Sequence, residues 1–344
     1  MQTQNIINDV LNQIKKDNIR QEGLLKYPHI KLPVIDKVYY DDSLILRFYI
    51  FLSAMMGSTL STSYKNTPLY VASAKGYAHI ATKTIARNLC SCSGYTESST
   101  GTTFSRKMVE IVPMLFPFSL ANDWEEMEEI LNLIVDSLNA KNCLVERGQH
   151  EAHIAWFTLK LLANVFEKEI SRKPIPPNKK KFSHYQSVLD NWNIDDILEI
   201  DKMSFLLCEL HLTSNEYNTR EYEYFFDENY SMLLPYEVII WLKLREYKGL
   251  KNPKTFSHPL MQTPIIKNFL RIDTIKLPEP QCDPELKVFL EDKLSVMCPD
   301  NDIEIPKWLD GSSSNSTTAI KTEEMKEEKH NKDNIIPDDF FVQE

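Results

Sequence analysis

Apolar residues recur at helical spacing along most of the chain, and this pattern predicts an all-α fold. In residues 4–18, for example, the apolar positions share one helical face. Short loops between consecutive helices indicate antiparallel neighbours, so the pattern is typical of a multi-helix bundle or an irregular helical-hairpin array. We predict further helices over about 41–57, 67–89, 145–170, 193–212, 217–228, 234–248, 262–271 and 283–296, with one more that begins at Asp123.

The segment 232–264 has the most regular pattern. Pro235 suits a first helical turn, where its missing N–H group costs nothing, and Lys248 with Gly249 supplies the cation and the left-handed residue typical of a helix end. Arg245 is predicted to lie at the flank of the apolar stripe. That stripe comprises Leu234, Val238, Trp241 and Leu242, and a loop with Pro253, Pro259 and Pro264 follows.

Two more helix starts carry local signals. Asp123 is predicted to cap a helix, because Glu126 occupies the third position of a capping box. Asn193 is predicted to cap another, with Trp192 packing on Ile197 as a hydrophobic staple.

Polar and proline-rich stretches divide the chain. Residues 91–103, rich in Ser, Thr and Gly, are predicted to form a surface loop, and residues 174–181 an exposed linker, with a sub-boundary near 171–181. We expect a helical globular body over 1–310. The acidic residues 311–344 cannot bury enough apolar area to fold, so a disordered C-terminal tail is expected there.

Composition and charge narrow the function classes. The chain has only eight glycines among 344 residues, which disfavours glycine-rich phosphate loops and nucleophile elbows. Its formal charge is −10, from 49 acidic and 39 basic residues. Because phosphate binding depends on clustered Lys and Arg, we expect no nucleic-acid partner. The acidic excess suits a basic protein partner, although it also serves solubility.

No membrane or secreted role is indicated. The N-terminus lacks the basic and apolar regions of a signal peptide. The most apolar run, 44–56, is too short to span a bilayer and contains Arg47. The six cysteines show neither disulfide nor zinc spacing, so a cytoplasmic location is expected.

Candidate chemistry is sparse. His150 and His153 flank Glu151, but their spacing of three differs from the spacing of four in the zincin motif. A structural role is therefore expected, with a metal-dependent enzyme as an alternative. His258 is predicted to fasten the backbone of its loop. We predict no enzymatic activity, no cofactor and no metal.

An acidic, aromatic-containing surface is the predicted site of partner binding. Acidic residues at a helix start usually form a solvated face favoured by the helix dipole, but they can also contact a basic partner. Aromatic residues among acids suit an interface rim. The predicted contacts are the loop 91–103 together with Glu125, Glu126, Glu128, Glu129, Tyr222 and Tyr224.

The segment 230–265 resembles the C-terminal part of helical bacterial immunity proteins encoded beside secreted toxins, in polymorphic-toxin and type VI secretion systems. The resemblance implies an intracellular inhibitor that binds one cognate toxin and occludes it, and it supplies no contact residues. A helical scaffold or adaptor with a binding tail is the alternative. The residues that carry the resemblance are Leu234–Arg245, Gly249-Leu250, Asn252-Pro253, His258–Met261 and Thr263-Pro264.

Overall fold

The computed structural model is mainly helical in the part of the chain that it describes. The described residues are 67–91, 112–139, 152–171, 179–216 and 233–270, with isolated positions within 4–12 and 277–280. Within them there are α-helices and short 3₁₀ helices and no strand, which confirms the all-α fold class.

Eight α-helices occur in these ranges. They are Thr67–Ser91 (α1), Phe116–Leu120 (α2), Trp124–Asn139 (α3), Ala152–Val165 (α4), Lys179–Asp190 (α5), Ile197–Glu216 (α6), Tyr236–Tyr247 (α7) and Pro264–Phe269 (α8). The 3₁₀ helices Val112–Leu115 and Pro259–Gln262 precede α2 and α8. None of the helices in these ranges combines the length and apolar character that a membrane crossing requires.

Helix α7 is the centre of the core. All its residues from Glu237 to Arg245 are buried, as expected of a helix enclosed on every side. It packs on α2, α4 and α6, while α1 packs on α2 and α3. The predicted buried helix at 234–248 is therefore confirmed.

Helix α7 ends as its sequence predicts. Gly249 has a φ of 74°, in the left-handed region that glycine adopts at no steric cost. Its N–H donates to the Glu246 carbonyl at 2.9 Å, and the Leu250 N–H donates to the Arg245 carbonyl at 2.8 Å. These two bonds form a Schellman motif, which satisfies the last carbonyls of the helix.

The prediction that Arg245 lies at the flank of the stripe is wrong, because its side chain is fully buried. Its guanidinium donates to the carbonyls of Trp192 at 2.6 Å, Ile194 at 2.8 Å and Lys251 at 2.9 Å. It also donates to Asn252 Oδ1 at 3.0 Å. Guanidinium has five donors, so one side chain can satisfy the carbonyls of two turns at once.

The capping predictions had opposite outcomes. Asp123 Oδ1 accepts the Glu126 N–H at 3.4 Å, which confirms the cap of α3. Asn193 as the cap of α6 is wrong. Asp196 takes this role, because its Oδ1 accepts the N–H groups of Leu198 at 2.9 Å and Glu199 at 3.3 Å.

The structure also corrects two segment boundaries. The predicted linker is too long at its C-terminal end, since Lys179–Lys181 begin α5, a helix that the sequence analysis missed. The helix predicted over 145–170 ends earlier, at Val165. Glu167 adopts a φ of 55°, and the Lys168 N–H closes the helix end on the Ala163 carbonyl at 2.8 Å.

Several predictions concern residues outside the described part. They are the helices at 41–57, 217–228 and 283–296, most of helix 4–18, the loop beyond Ser91, and the tail. The domain limits 1–310 and 311–344, with the sub-boundary near 171–181, stay predictions. Residues on both sides of 171–181 share one buried cluster, in which the Phe157 and Tyr185 rings lie 5.3 Å apart.

Replacing Arg245 by Met tests its structural role. The change removes four hydrogen bonds and leaves carbonyls without their charged donor, so we expect the free energy of unfolding to fall by about 3 kcal/mol. Urea denaturation measures it. The exposed cation Lys254 provides the control, and Lys254→Met should change stability by less than about 0.5 kcal/mol. A loss below about 1 kcal/mol for Arg245→Met would contradict the assignment.

Candidate protein-interaction surface

Helix geometry separates the four predicted glutamates at the start of α3. Glu125 and Glu129 are exposed and lie one turn apart. Glu126 turns toward α1 and Glu128 toward the segment after α4, and both form ion pairs. The acidic run is therefore divided into two exposed residues, Glu125 and Glu129, and two residues in ion pairs with neighbouring elements, Glu126 and Glu128.

Glu126 joins α3 to α1. Its Oε2 lies 3.0 Å from Lys75 Nζ, and its Oε1 pairs with His79 Nδ1. Lys75 also pairs with Asp123, the capping residue. Burial favours a higher pKa for Glu126, but the hydrogen bond from His79 and the charge of Lys75 outweigh it and hold that pKa well below its ordinary value.

Glu128 anchors the extended segment that follows α4. Lys168 Nζ lies 2.6 Å from Glu128 Oε1. At the other end of α3, the Asn139 side-chain amide donates to the Glu169 carbonyl and accepts the Ser171 N–H, both at 2.9 Å. Residues 166–171 therefore run along α3 and hold it beside α4.

An aromatic stack lies next to these acids. The Trp124 ring stacks on the Tyr247 ring with centroids 5.2 Å apart, and Phe166 lies 6.2 Å from Tyr247. Lys248 Nζ sits 5.0 Å from the Tyr247 centroid and 5.7 Å from that of Phe166. Trp124 is buried, whereas Tyr247 is 49% exposed.

We call this area the α3–α7 surface. It joins the start of α3, the end of α7 and the segment after α4, and its residues are Trp124, Glu125, Glu128, Glu129, Phe166, Lys168, Tyr247 and Lys248. Aromatic residues are enriched at protein interfaces. Sequence reasoning counted Phe166 among the apolar residues of the helix predicted over 145–170 and missed Tyr247. The only sequence signal of Tyr247 is a large aromatic residue at a helix end, outside the apolar stripe.

Of the two histidines in the His150–His153 segment, the structure describes His153, which is buried. The His153 ring packs beside the rings of Phe182 and Tyr185, with centroids 6.2 and 6.4 Å away, and those two rings lie 5.9 Å from each other. Its companions in the alternative metal site, His150 and Glu151, lie outside the described residues. Among the residues that the structure describes, no group of three His, Cys, Asp or Glu side chains could hold a metal ion.

His258 fastens its loop, as predicted. Its Nδ1 accepts the Leu260 N–H at 3.1 Å, so Nε2 carries the hydrogen and donates to Glu209 Oε1 at 3.0 Å. Sequence spacing gave no sign of Glu209, which lies on α6.

A second histidine–glutamate pair, not predicted, joins α6 to α7. His211 Nδ1 lies 2.8 Å from Glu237 Oε1, and both side chains are buried. Burial and the negative charge of Glu237 raise the pKa of the neighbouring Cys208 thiol well above its usual value, which keeps it protonated and a poor nucleophile. These groups join helices inside the core.

Tyr222, Tyr224 and residues 92–103 lie outside the described part of the chain, so their roles in binding stay predictions. Comparison with protein-family models, curated proteins and solved structures found no match. The resemblance of 230–265 to immunity proteins also stays a prediction.

Glu126→Gln tests the network between α1 and α3. Because the folded-state pKa of Glu126 lies below its unfolded value of about 4.3, its stabilisation is present above that pH and is lost as pH falls toward the folded value. We expect Glu126→Gln to lower the free energy of unfolding by about 1–2 kcal/mol at pH 7, with the difference shrinking below about pH 4. Denaturation of both proteins across pH measures it.

The exposed neighbour Glu125 provides the control for this network. Glu125→Gln should change stability by less than about 0.5 kcal/mol at pH 7. Equal effects of the two substitutions would contradict the internal role of Glu126.

His258→Asn tests the loop fastening. Burial lowers the pKa of His258, with Glu209 opposing and His211 reinforcing the effect. The contribution of His258 to the free energy of unfolding is therefore fully present above the unfolded pKa of about 6.5, and it is lost as pH falls below that value. The substitution should cost about 1 kcal/mol at pH 7 and flatten the pH dependence of stability between about 6.5 and 5. His184→Asn, at an exposed histidine, should leave the pH dependence of wild type; an unchanged profile for His258→Asn would contradict the assignment.

Proposed function

We propose that this protein works by binding another protein through the α3–α7 surface, and that it thereby neutralises a bacterial toxin effector. The observation that carries the proposal is the exposed Tyr247 ring, held against Trp124 beside Glu125 and Glu129. Large rigid aromatics contribute a major share of binding energy at many interfaces.

Pre-organisation supports this role. The stack with Trp124 and the cation of Lys248 hold Tyr247 before any partner arrives. Glu128 and Lys168 fix the adjoining segment by their ion pair. Because little side-chain freedom would be lost on association, more of the contact energy would appear as affinity.

Charge supports a basic partner. Glu125 has no ion-pair partner among the residues that the structure describes, and the chain as a whole carries −10. An acidic patch on an acidic protein would steer a positively charged surface and repel other acidic proteins. Enzymes that act on phosphate substrates often carry such basic surfaces.

The mechanism we propose is steric occlusion. The partner's basic surface would meet Glu125 and Glu129, while the Tyr247 ring would fill an apolar recess and exclude water. Access of substrate to the toxin would then be blocked without any covalent change in either protein. The immunity role rests on the resemblance of residues 230–265, and the protein-binding role rests on the surface itself.

Co-expression tests the proposal. Cells that express the toxin encoded beside this gene should survive when the chain is present, and the two proteins should co-elute on a sizing column. Tyr247→Ala should weaken binding by about thirtyfold or more, and Glu125→Lys with Glu129→Lys should slow association and reduce its salt dependence.

Asp136→Lys is the matched control. Asp136 is exposed on the same helix, about 16 Å along the axis from Glu125, so its reversal should leave binding almost unchanged. Thermal unfolding of each variant separates lost binding from lost folding. Absence of both protection and complex would overturn the toxin role; a complex unaffected by Tyr247→Ala and the double reversal would overturn the α3–α7 surface.

A further inference from the structure

Helix α6 exposes large apolar side chains on its outer face. Leu198 is 73% exposed, Phe205 41% and Ile197 38%, which are high values for such residues in a folded chain. Leu198, Lys202, Phe205 and Glu209 are spaced as a single row along a helix. The opposite face of α6 is buried in the core.

The row is held in place along one edge. The Phe205 ring meets the His258 ring edge-on at 4.9 Å, and Glu209 bonds the same histidine. One turn earlier, Asp201 Oδ1 accepts the Ser257 N–H at 2.8 Å. The turn at 256–258 thus braces α6 and leaves Leu198 uncovered, so the face exists before a partner binds.

Acidic residues surround Leu198 and Phe205, the apolar members of this row. Residues 195–209 contain five acids and one base, Lys202, whose Nζ is 3.0 Å from Glu199 Oε2. Asp195 and Asp196 are exposed beside Leu198 at the start of the helix. Exposed apolar side chains among mainly acidic neighbours are typical of an interaction site for a basic partner.

We propose that the outer face of α6, called the α6 face, binds a basic amphipathic helix of a partner protein. Leu198 and Phe205 lie about 10 Å apart along the axis, which matches apolar residues seven apart on a partner helix. Lys and Arg flanking that stripe would meet Asp195, Asp196 and Glu199. This contact is separate from the α3–α7 surface and does not depend on the proposed toxin.

Charge argues against two other occupants. A second copy would bring the same acidic rim and be repelled. The apolar end of the chain, residues 335–342, contains Asp338 and Asp339 and would be repelled in the same way. A basic segment from another protein gains attraction from the same charges.

Synthetic peptides test the proposal with the full chain. The probe is a fluorescent 18-residue helical peptide (about five turns) with a Leu stripe and Lys elsewhere, compared with a scrambled peptide and with a twin that has Glu in place of Lys. We expect anisotropy to show binding of the basic amphipathic peptide only, weakening as salt rises. Leu198→Asn should weaken it at least tenfold, and Glu199→Lys should weaken it further at low salt.

Controls connect the binding to the α6 face. Leu198 is mostly exposed, so Leu198→Asn should leave thermal unfolding unchanged, and Glu125→Lys on the α3–α7 surface should leave peptide affinity unchanged. Equal binding of the scrambled peptide, or no effect of Leu198→Asn, would overturn the proposal.

Two other occupants of the α6 face, a second copy of the chain and the chain's own C-terminal end, would give different experimental results. A wild-type dimer that Leu198→Asn dissociates would show that a second copy covers the face and would overturn the proposal. Peptide binding seen only after Phe340→Ser with Phe341→Ser would assign the face to the chain's own end, with the same consequence. Peptide binding by monomeric wild type, lost in Leu198→Asn, supports it.

Discussion

The buried guanidinium of Arg245 joins α7 to the turn before α6, which is distant in sequence, and to the loop directly after α7. It holds the carbonyls of Trp192 and Ile194 before α6 and that of Lys251 after α7, and Trp241 Nε1 reinforces the first turn by donating to the Trp192 carbonyl at 3.0 Å. A buried charge is costly unless its donors are satisfied, so the two turns must be in place together. The contact therefore helps to position the start of α6 and the start of the loop that leads to His258.

The described side chains divide by location. His153, His211 and Cys208, which could in principle do chemistry, lie in the core, where they pack or join helices. Large apolar side chains are instead exposed on the α3–α7 surface, through Tyr247, and on the α6 face, through Leu198. The side chains that could select a partner therefore lie on the surface, and this location is the physical basis for the proposal that the protein acts by binding.

Local signals in the sequence predicted the structural features that depend on nearby residues, such as helix extents and helix ends. Helix α1 was predicted over 67–89 and observed over 67–91, and the ends of α7 follow from Pro235 and Gly249. Long-range contacts could not be predicted, because the periodicity of apolar residues carries no information about a partner about 50 positions away. Examples are the burial of Arg245 and the ion pair between Glu126 and Lys75. Helix α5 was missed because its start reads as a basic, proline-flanked linker, and the early end of α4 depends on Glu167 adopting a left-handed conformation that its residue type does not signal. The acids of the candidate surface were proposed from the sequence and their role in binding stays a prediction, whereas Tyr247 was added only from the fold.

The C-terminal end of α7 contacts both elements that carry the proposed surfaces. Tyr247 reaches the start of α3 through Trp124, while Arg245, two residues earlier, holds the turn that leads into α6. Both proposed faces combine exposed apolar side chains with acidic neighbours, so each would favour a basic partner. Each face alone offers few anchors, and interfaces of stable complexes typically bury about 800 Å² on each partner. A stable complex at either face would therefore also have to bury residues around those anchors.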